Sequence, residues 1–106
     1  MELETGTTNR GFGIIQFNDR YGVRCSIQKS SLATEDAIWF GCDELDPKIM
    51  ASQASRFGVN THQTTGWVEY PIPSEVSVNT RMHLTQEQVI ELLPLLQKFA
   101  ETGEIN

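Results

Sequence analysis

The chain has 106 residues, 39% of them hydrophobic and 21% charged, which suits one globular domain with a modest core and excludes a largely disordered chain. With 14 acidic against 8 basic residues the net charge is -6, which excludes a duplex nucleic-acid binder that works by neutralising phosphates. A small anionic ligand needs only a local positive pocket, and an acidic exterior is compatible with one.

In chain order, residues 1–9 are polar and expected to be a flexible tail. Gly11-Phe-Gly-Ile-Ile-Gln-Phe17 is an apolar strand signal, and Asn18-Asp-Arg-Tyr-Gly22 is a turn cluster. In Val23–Lys29 the residues Val23, Cys25 and Ile27 alternate with Arg24, Ser26 and Gln28, the period of a half-buried strand, so the two runs predict a hairpin. Ser30 to Asp36 is a polar connection, and Ala37-Ile-Trp-Phe-Gly-Cys42 is a third strand. Residues 46–66 are expected to hold a short helix, opened by Pro47 with Asp46 as N-cap and running to about Phe57, and then a polar loop. Trp67–Tyr70 predicts an edge strand, bounded by Pro71 and Pro73. Val76–Leu84 predicts a fifth strand with Val76, Val78, Thr80, Met82 and Leu84 inward and Ser77, Asn79, Arg81 and His83 outward.

The C-terminal element has the plainest signature. Thr85 and Gln88 form a capping box, and Leu84 and Val89 have the spacing of a hydrophobic staple. Val89, Leu92, Leu93, Leu96, Phe99 and Ala100 share one helix face, and Gly103 fits the residue just past the end. Pro94 conflicts with this pattern, because it removes the bond to Ile90 and predicts a kink. The expectation is an α+β fold: an antiparallel β-sheet with a C-terminal amphipathic helix packed on one face and a short middle helix.

Catalytic signatures are absent from the sequence. His62 and His83, the two histidines, lack ligand partners at zinc spacing, and Gly11-Phe-Gly13 is too short to cradle a phosphate. The carboxylate clusters Glu35/Asp36 and Asp43/Glu44/Asp46 read as solvated loops. No metal, cofactor or catalytic residue is expected. Cys25 and Cys42 sit in apolar runs without a paired-cysteine motif and read as buried reduced thiols. No apolar run approaches the ~20 residues of a membrane span. The N-terminal Met-Glu-Leu-Glu-Thr-Gly lacks the pattern of a signal peptide, so the expected location is the cytoplasm.

Two strand faces carry binding chemistry. Arg24, Ser26 and Gln28 share one, and Asn79, Arg81 and His83 share another; arginines with hydroxyls and amides between them suit a phosphate or pyrophosphate. Arg20, Arg24 and Lys29 make a local basic patch. An ordinary solvated sheet face has the same composition. Trp39 and Trp67 are each open to two readings, a stacking surface for a purine base or a packing contact.

The run Arg10-Gly-Phe-Gly-Ile-Ile-Gln-Phe-Asn-Asp-Arg-Tyr-Gly-Val-Arg-Cys-Ser-Ile-Gln-Lys-Ser-Ser-Leu-Ala-Thr-Glu-Asp-Ala-Ile-Trp-Phe-Gly41, together with Asn79-Thr-Arg-Met-His-Leu-Thr-Gln-Glu-Gln-Val89 and the Leu-rich segment to Gly103, resembles the phage Thoeris anti-defence type 1 proteins. The resemblance spans nearly the whole chain, apart from the N-terminal tail and residues 46–66. It implies a non-enzymatic sponge acting in the host cell cytoplasm. Such proteins sequester the cyclic ADP-ribose isomers made by bacterial TIR-domain enzymes without cleaving them. It also implies a homo-oligomer built from dimers with ligand pockets at subunit interfaces, and in some members a separate cyclic-oligonucleotide site. On the matching motifs it places Arg81 with Asn79 and Thr80, and Arg24 with the Lys29-Ser30-Ser31 turn, at the ligand. Gln28 and His83 join them from the strand faces, and Trp39 and Phe40 are the stacking candidates. Neither duplex nucleic acid nor a membrane is an expected partner. Two alternatives follow from the same residues. One is a phage inhibitor acting by protein contact, such as an anti-CRISPR or anti-restriction protein, with the acidic segment 35–46 mimicking nucleic acid. The other is an enzyme that degrades the signal.

Overall fold

The computed structural model describes residues 1–106. Seven strands form in chain order: β1 (Glu4–Thr7), β2 (Gly13–Asn18), β3 (Arg24–Lys29), β4 (Ala37–Cys42), β5 (Lys48–Met50), β6 (Trp67–Glu69) and β7 (Arg81–Thr85). A single turn of helix, α1 (Ala51–Ala54), precedes a 3-10 turn at Ser55–Phe57, and a long helix, α2 (Gln86–Thr102), ends the chain. The architecture is α+β, as expected. Contacts divide the chain into two compact units, one made of residues 1–44 and 80–106 and the other of residues 45–79.

The first unit is a five-stranded antiparallel sheet in the order β1-β2-β3-β4-β7. The β2–β3 hairpin closes where the turn cluster predicts it. Asp19 Oδ1 accepts from the backbone N–H groups of Tyr21 and Val23, and Gly22 takes the positive φ of 81° that the turn requires. The tail expected to be flexible is instead the edge strand β1, which pairs Glu4 with Gln16 through Thr7 with Gly13. Its sequence, Glu-Thr-Gly-Thr, has no apolar alternation to announce a strand; the β2 backbone supplies the pairing.

The second unit is built on the β5–β6 pair, with Val68 of β6 and Ala54 of α1 buried. Two local expectations change here. Residues 48–50 are a strand rather than the start of a helix, and α1 has Met50 as N-cap without a side-chain bond. Asp46 caps nothing; its carboxylate and that of Glu69 pair with Lys48 at 3.3 and 2.6 Å. Pairing with Trp67–Glu69 satisfies more backbone groups than a short helix would, which overrides the Asp-Pro signal. The edge strand expected at 67–70 is present as β6, with Trp67 62% exposed. The strand expected over 76–84 is shorter, since only Arg81 onward joins the sheet.

The end of the chain follows its signature closely. Gln88 N–H donates to Thr85 Oγ1, Thr85 N–H donates to Gln88 Oε1, and Gly103 closes the helix in the left-handed conformation with its N–H on the Phe99 carbonyl. α2 is assigned as one helix through Pro94, whose missing N–H leaves the Ile90 carbonyl without its usual partner. Its packing differs from expectation. The helix meets the sheet where it leaves β7; beyond the half-buried Val89 every residue of it is exposed, and it covers no sheet face. The apolar stripe of α2 therefore has no partner within the chain.

Candidate functional site

The register decides which side chains share a face. Gln28 on β3, Trp39 on β4 and His83 on β7 stand in one cross-strand row, and Ser26, Gly41 and Arg81 stand in the next row on the same face. The opposite face carries Cys25, Ile27 and Lys29 from β3, Ile38, Phe40 and Cys42 from β4, and Met82 and Leu84 from β7.

The polar row is a connected group. The His83 ring lies parallel to Trp39, with centroids 3.8 Å apart and an interplanar angle of 6°. His83 Nε2 is 2.9 Å from the Ser30 hydroxyl, which is 3% exposed and accepts from Leu32 N–H. The Arg81 guanidinium lies 5.5 Å from the Trp39 ring centroid and donates from Nη1 to Gln28 Oε1 at 2.8 Å. The Arg81 side chain thus reaches from β7 to β3, and Gly41 on the strand between them lets the β4 and β7 backbones approach closely. A Cβ at Gly41 would lie 2.6 Å from the Thr80 carbonyl and 2.8 Å from the Arg81 Cα, and its φ is 154°. Gly41→Ala is expected to push β7 away from β4 and to destabilise the protein by about 1–3 kcal/mol, the range for overpacking. A urea melt measures that loss, and quenching or dequenching of Trp39 fluorescence reports whether Arg81 and His83 leave the ring.

The remaining expected residues scatter. Lys29 and Phe40 lie on the opposite face, because they are one residue out of phase with Gln28 and Trp39. Lys29 pairs with Asp36 at 2.8 Å, and this hydrogen bond and charge hold the exposed Asp36 carboxyl below its ordinary range. Arg24 is on the site's face but pairs with Glu4 and reaches Asn18, so its charge is already partnered. Ser31 is exposed in the turn, Thr80 contributes its carbonyl to Cys42 N–H, and Asn79 belongs to the 45–79 unit. Ser26, fully buried, donates to Asp43 Oδ1, and Gln16 donates to Asp43 Oδ2, so Asp43 fastens the end of β4 to the sheet. The cluster that forms is Gln28, Ser30, Trp39, Arg81 and His83.

Electrostatically this cluster offers a cation without a counter-charge. No carboxylate lies within ion-pair distance of Arg81, and a guanidinium has five N–H donors of which Gln28 takes one. The Trp39–His83 stack adds a flat aromatic surface beside it. The Ser30–His83 contact has the spacing of a nucleophile and its base. Ser30 is nearly inaccessible, however, and no carboxylate bonds the far side of the His83 ring, so the contact reads as an anchor for the ring. Elsewhere in the same unit, a cleft of about 410 Å³ is lined by Lys29, Asp36, Ala37, Ile38, Leu84, Gln86 and Val89. It is mostly apolar and its one cation is already paired, so it suits an apolar side chain better than a phosphate.

The fold and this cluster define an α+β protein with a small, cation-bearing aromatic surface on an open sheet. No family model, curated protein or solved structure matches the chain. No helix is long and apolar enough to cross a membrane.

Proposed function

We propose that this protein binds and sequesters a phosphate-bearing purine signal of the cyclic ADP-ribose isomer class, without turning it over, as the phage anti-defence proteins that its sequence resembles do. The observation that carries the reading is Arg81, held by Gln28 against the Trp39–His83 stack with no carboxylate on it. A pyrophosphate answers the guanidinium, a purine answers the stack, and the Gln28 amide serves the ribose hydroxyls. Chemistry on the ligand would need an accessible nucleophile and an oriented base, and the cluster offers neither.

The reading includes a homo-oligomer built from dimers, formed by a second copy on the stripe of α2. Leu93, Leu96 and Phe99 are 58, 53 and 54% exposed, with Leu92, Ile90 and Leu95 beside them. Leu92, Leu93, Leu96 and Phe99, which share one helix face, offer roughly 400 Å² of apolar surface, about half of the about 800 Å² that each partner of a standard interface contributes, with Ile90 and Leu95 on the two flanks. The apolar cleft beside the first turn of α2 continues that surface. The protein-contact alternative fares less well, since Asp36, Asp43 and Asp46 are engaged by Lys29, Ser26 with Gln16, and Lys48, which depletes the acidic segment it needs.

Calorimetry of the purified full chain with cyclic ADP-ribose isomers tests the binding. One isomer is expected to bind with submicromolar affinity, to raise the thermal midpoint, and to be recovered unchanged after heat denaturation. Absence of both heat and thermal shift with every isomer overturns the reading, and so does recovery of a new product.

A further inference from the structure

The structure assigns Cys25 and Cys42 as a vicinal thiol pair that closes into a cross-strand disulfide on exposure to a low-molecular-weight disulfide oxidant. The two residues are direct partners across β3 and β4. Asp43 N–H donates to the Arg24 carbonyl at 2.8 Å, so the ladder bond flanks the pair rather than joining it. That marks a non-hydrogen-bonded pair, in which Cα atoms stand about 4.5 Å apart, inside the range of about 4.4–6.8 Å that a disulfide spans. Both side chains are on the same face, and their sulfurs are already 3.9 Å apart as free thiols. Bond formation needs rotation of two short side chains and no change of register.

The two cysteines differ in access, which orders the steps. Cys25 is 6% exposed, whereas Cys42 is half-buried. Burial, then the contact with Cys42, pushes the Cys25 thiol above its ordinary value, so it is the poorer first nucleophile. The Cys42 thiol loses its proton to solvent and attacks one sulfur of oxidised glutathione. A mixed disulfide forms at Cys42 and one glutathione leaves as its thiolate. The Cys25 thiol then loses its proton and attacks the Cys42 sulfur, forming the Cys25–Cys42 bond and expelling the second glutathione. Two protein thiols are oxidised and one glutathione disulfide is reduced to two thiols. The product ties together the strands that carry Gln28 and Trp39. It lies at the Arg81 end of the β4–β7 pair, whereas α2 begins at the Thr85 end, so a second copy on α2 does not have to leave for it to form.

The test equilibrates the native full chain with glutathione buffers of increasing oxidised fraction, quenches with acid, alkylates in denaturant and measures intact mass. The expected result is loss of two hydrogens with no alkylation at the oxidised end, full reversal by excess reduced glutathione, and a peptide linking residues 25 and 42 after proteolysis. Cys25→Ser is expected to accumulate the mixed disulfide at Cys42, and Cys42→Ser to stay unmodified much longer. Two alkylatable thiols at the most oxidising buffer, or stable glutathione adducts or intermolecular disulfides in the native chain, overturn the assignment. Sequestration of a nucleotide does not enter this measurement, so it stands or falls separately.

Discussion

Arg81→Ala is expected to weaken the proposed binding of a cyclic ADP-ribose isomer by about ten- to a hundredfold while leaving the fold intact. Hydrogen bonds to a charged group contribute about 1.5–3 kcal/mol, and about 1.4 kcal/mol is tenfold in affinity. Arg81 is well suited to show the full effect, because no other charge competes for it and its only hydrogen-bond partner is the neutral Gln28. Arg81→Lys keeps the charge but loses the planar fork and the contact with Trp39, so it should recover only part of the affinity. Arg24→Ala makes the contrasting control. Its guanidinium is already spent on Glu4 and Asn18, and its removal should change affinity much less. Calorimetry on the three variants, with circular dichroism to check folding, reads the order directly. Unchanged affinity in Arg81→Ala removes this residue from the site and takes the proposed mode of recognition with it.

The second large effect is on assembly. The double substitution Leu93→Glu with Leu96→Glu is expected to convert the proposed oligomer to monomer. Each glutamate placed in an apolar interface leaves a buried unpaired charge, a cost of about 2–5 kcal/mol or more apiece, so dissociation should rise by at least about a thousandfold. The fold of the single chain should survive, because both side chains are more than half exposed within it and contribute little to its own packing. Sedimentation velocity on the wild type and the variant measures the change. An assembly that persists in the variant moves the interface away from α2, and a wild type that is monomeric at micromolar concentration ends the oligomer proposal. If the ligand pocket is shared between copies, the variant also loses calorimetric binding. If the Arg81 cluster is sufficient, it keeps it.

How far these features can be read in the sequence depends on the range of the forces behind them. The capping box at Thr85 and Gln88 is a local device closed by two hydrogen bonds between residues three apart, and it forms as the sequence says. So do the Asp19–Gly22 turn and the strands on either side of it, where alternation has a period that only one secondary structure matches. The sequence leaves the placement of Trp39 open between a stacking surface and a packing contact. That placement is fixed by its pairing with Gln28 and His83, which alternation within one strand cannot supply. The same register sends Lys29 and Phe40 to the other side, although each is adjacent in sequence to a residue of the cluster.

What the sequence by itself determined is therefore the local layer: the α+β composition, the hairpin, the capped C-terminal helix with its apolar stripe, and two cysteines in apolar strands, of which Cys25 is buried as expected and Cys42 only half-buried. The tertiary structure alone decided the rest. It recruited Glu4–Thr7 into the sheet, turned residues 48–50 from helix to strand, and brought Arg81 across Gly41 to Gln28, 53 residues away in the chain. It also left α2 without an intramolecular partner. The physical reason is common to all four. Backbone pairing and side-chain proximity across strands are set by register between distant segments, and local propensities of a few tenths of a kcal/mol per residue yield to the hydrogen bonds and apolar contacts that this register makes available.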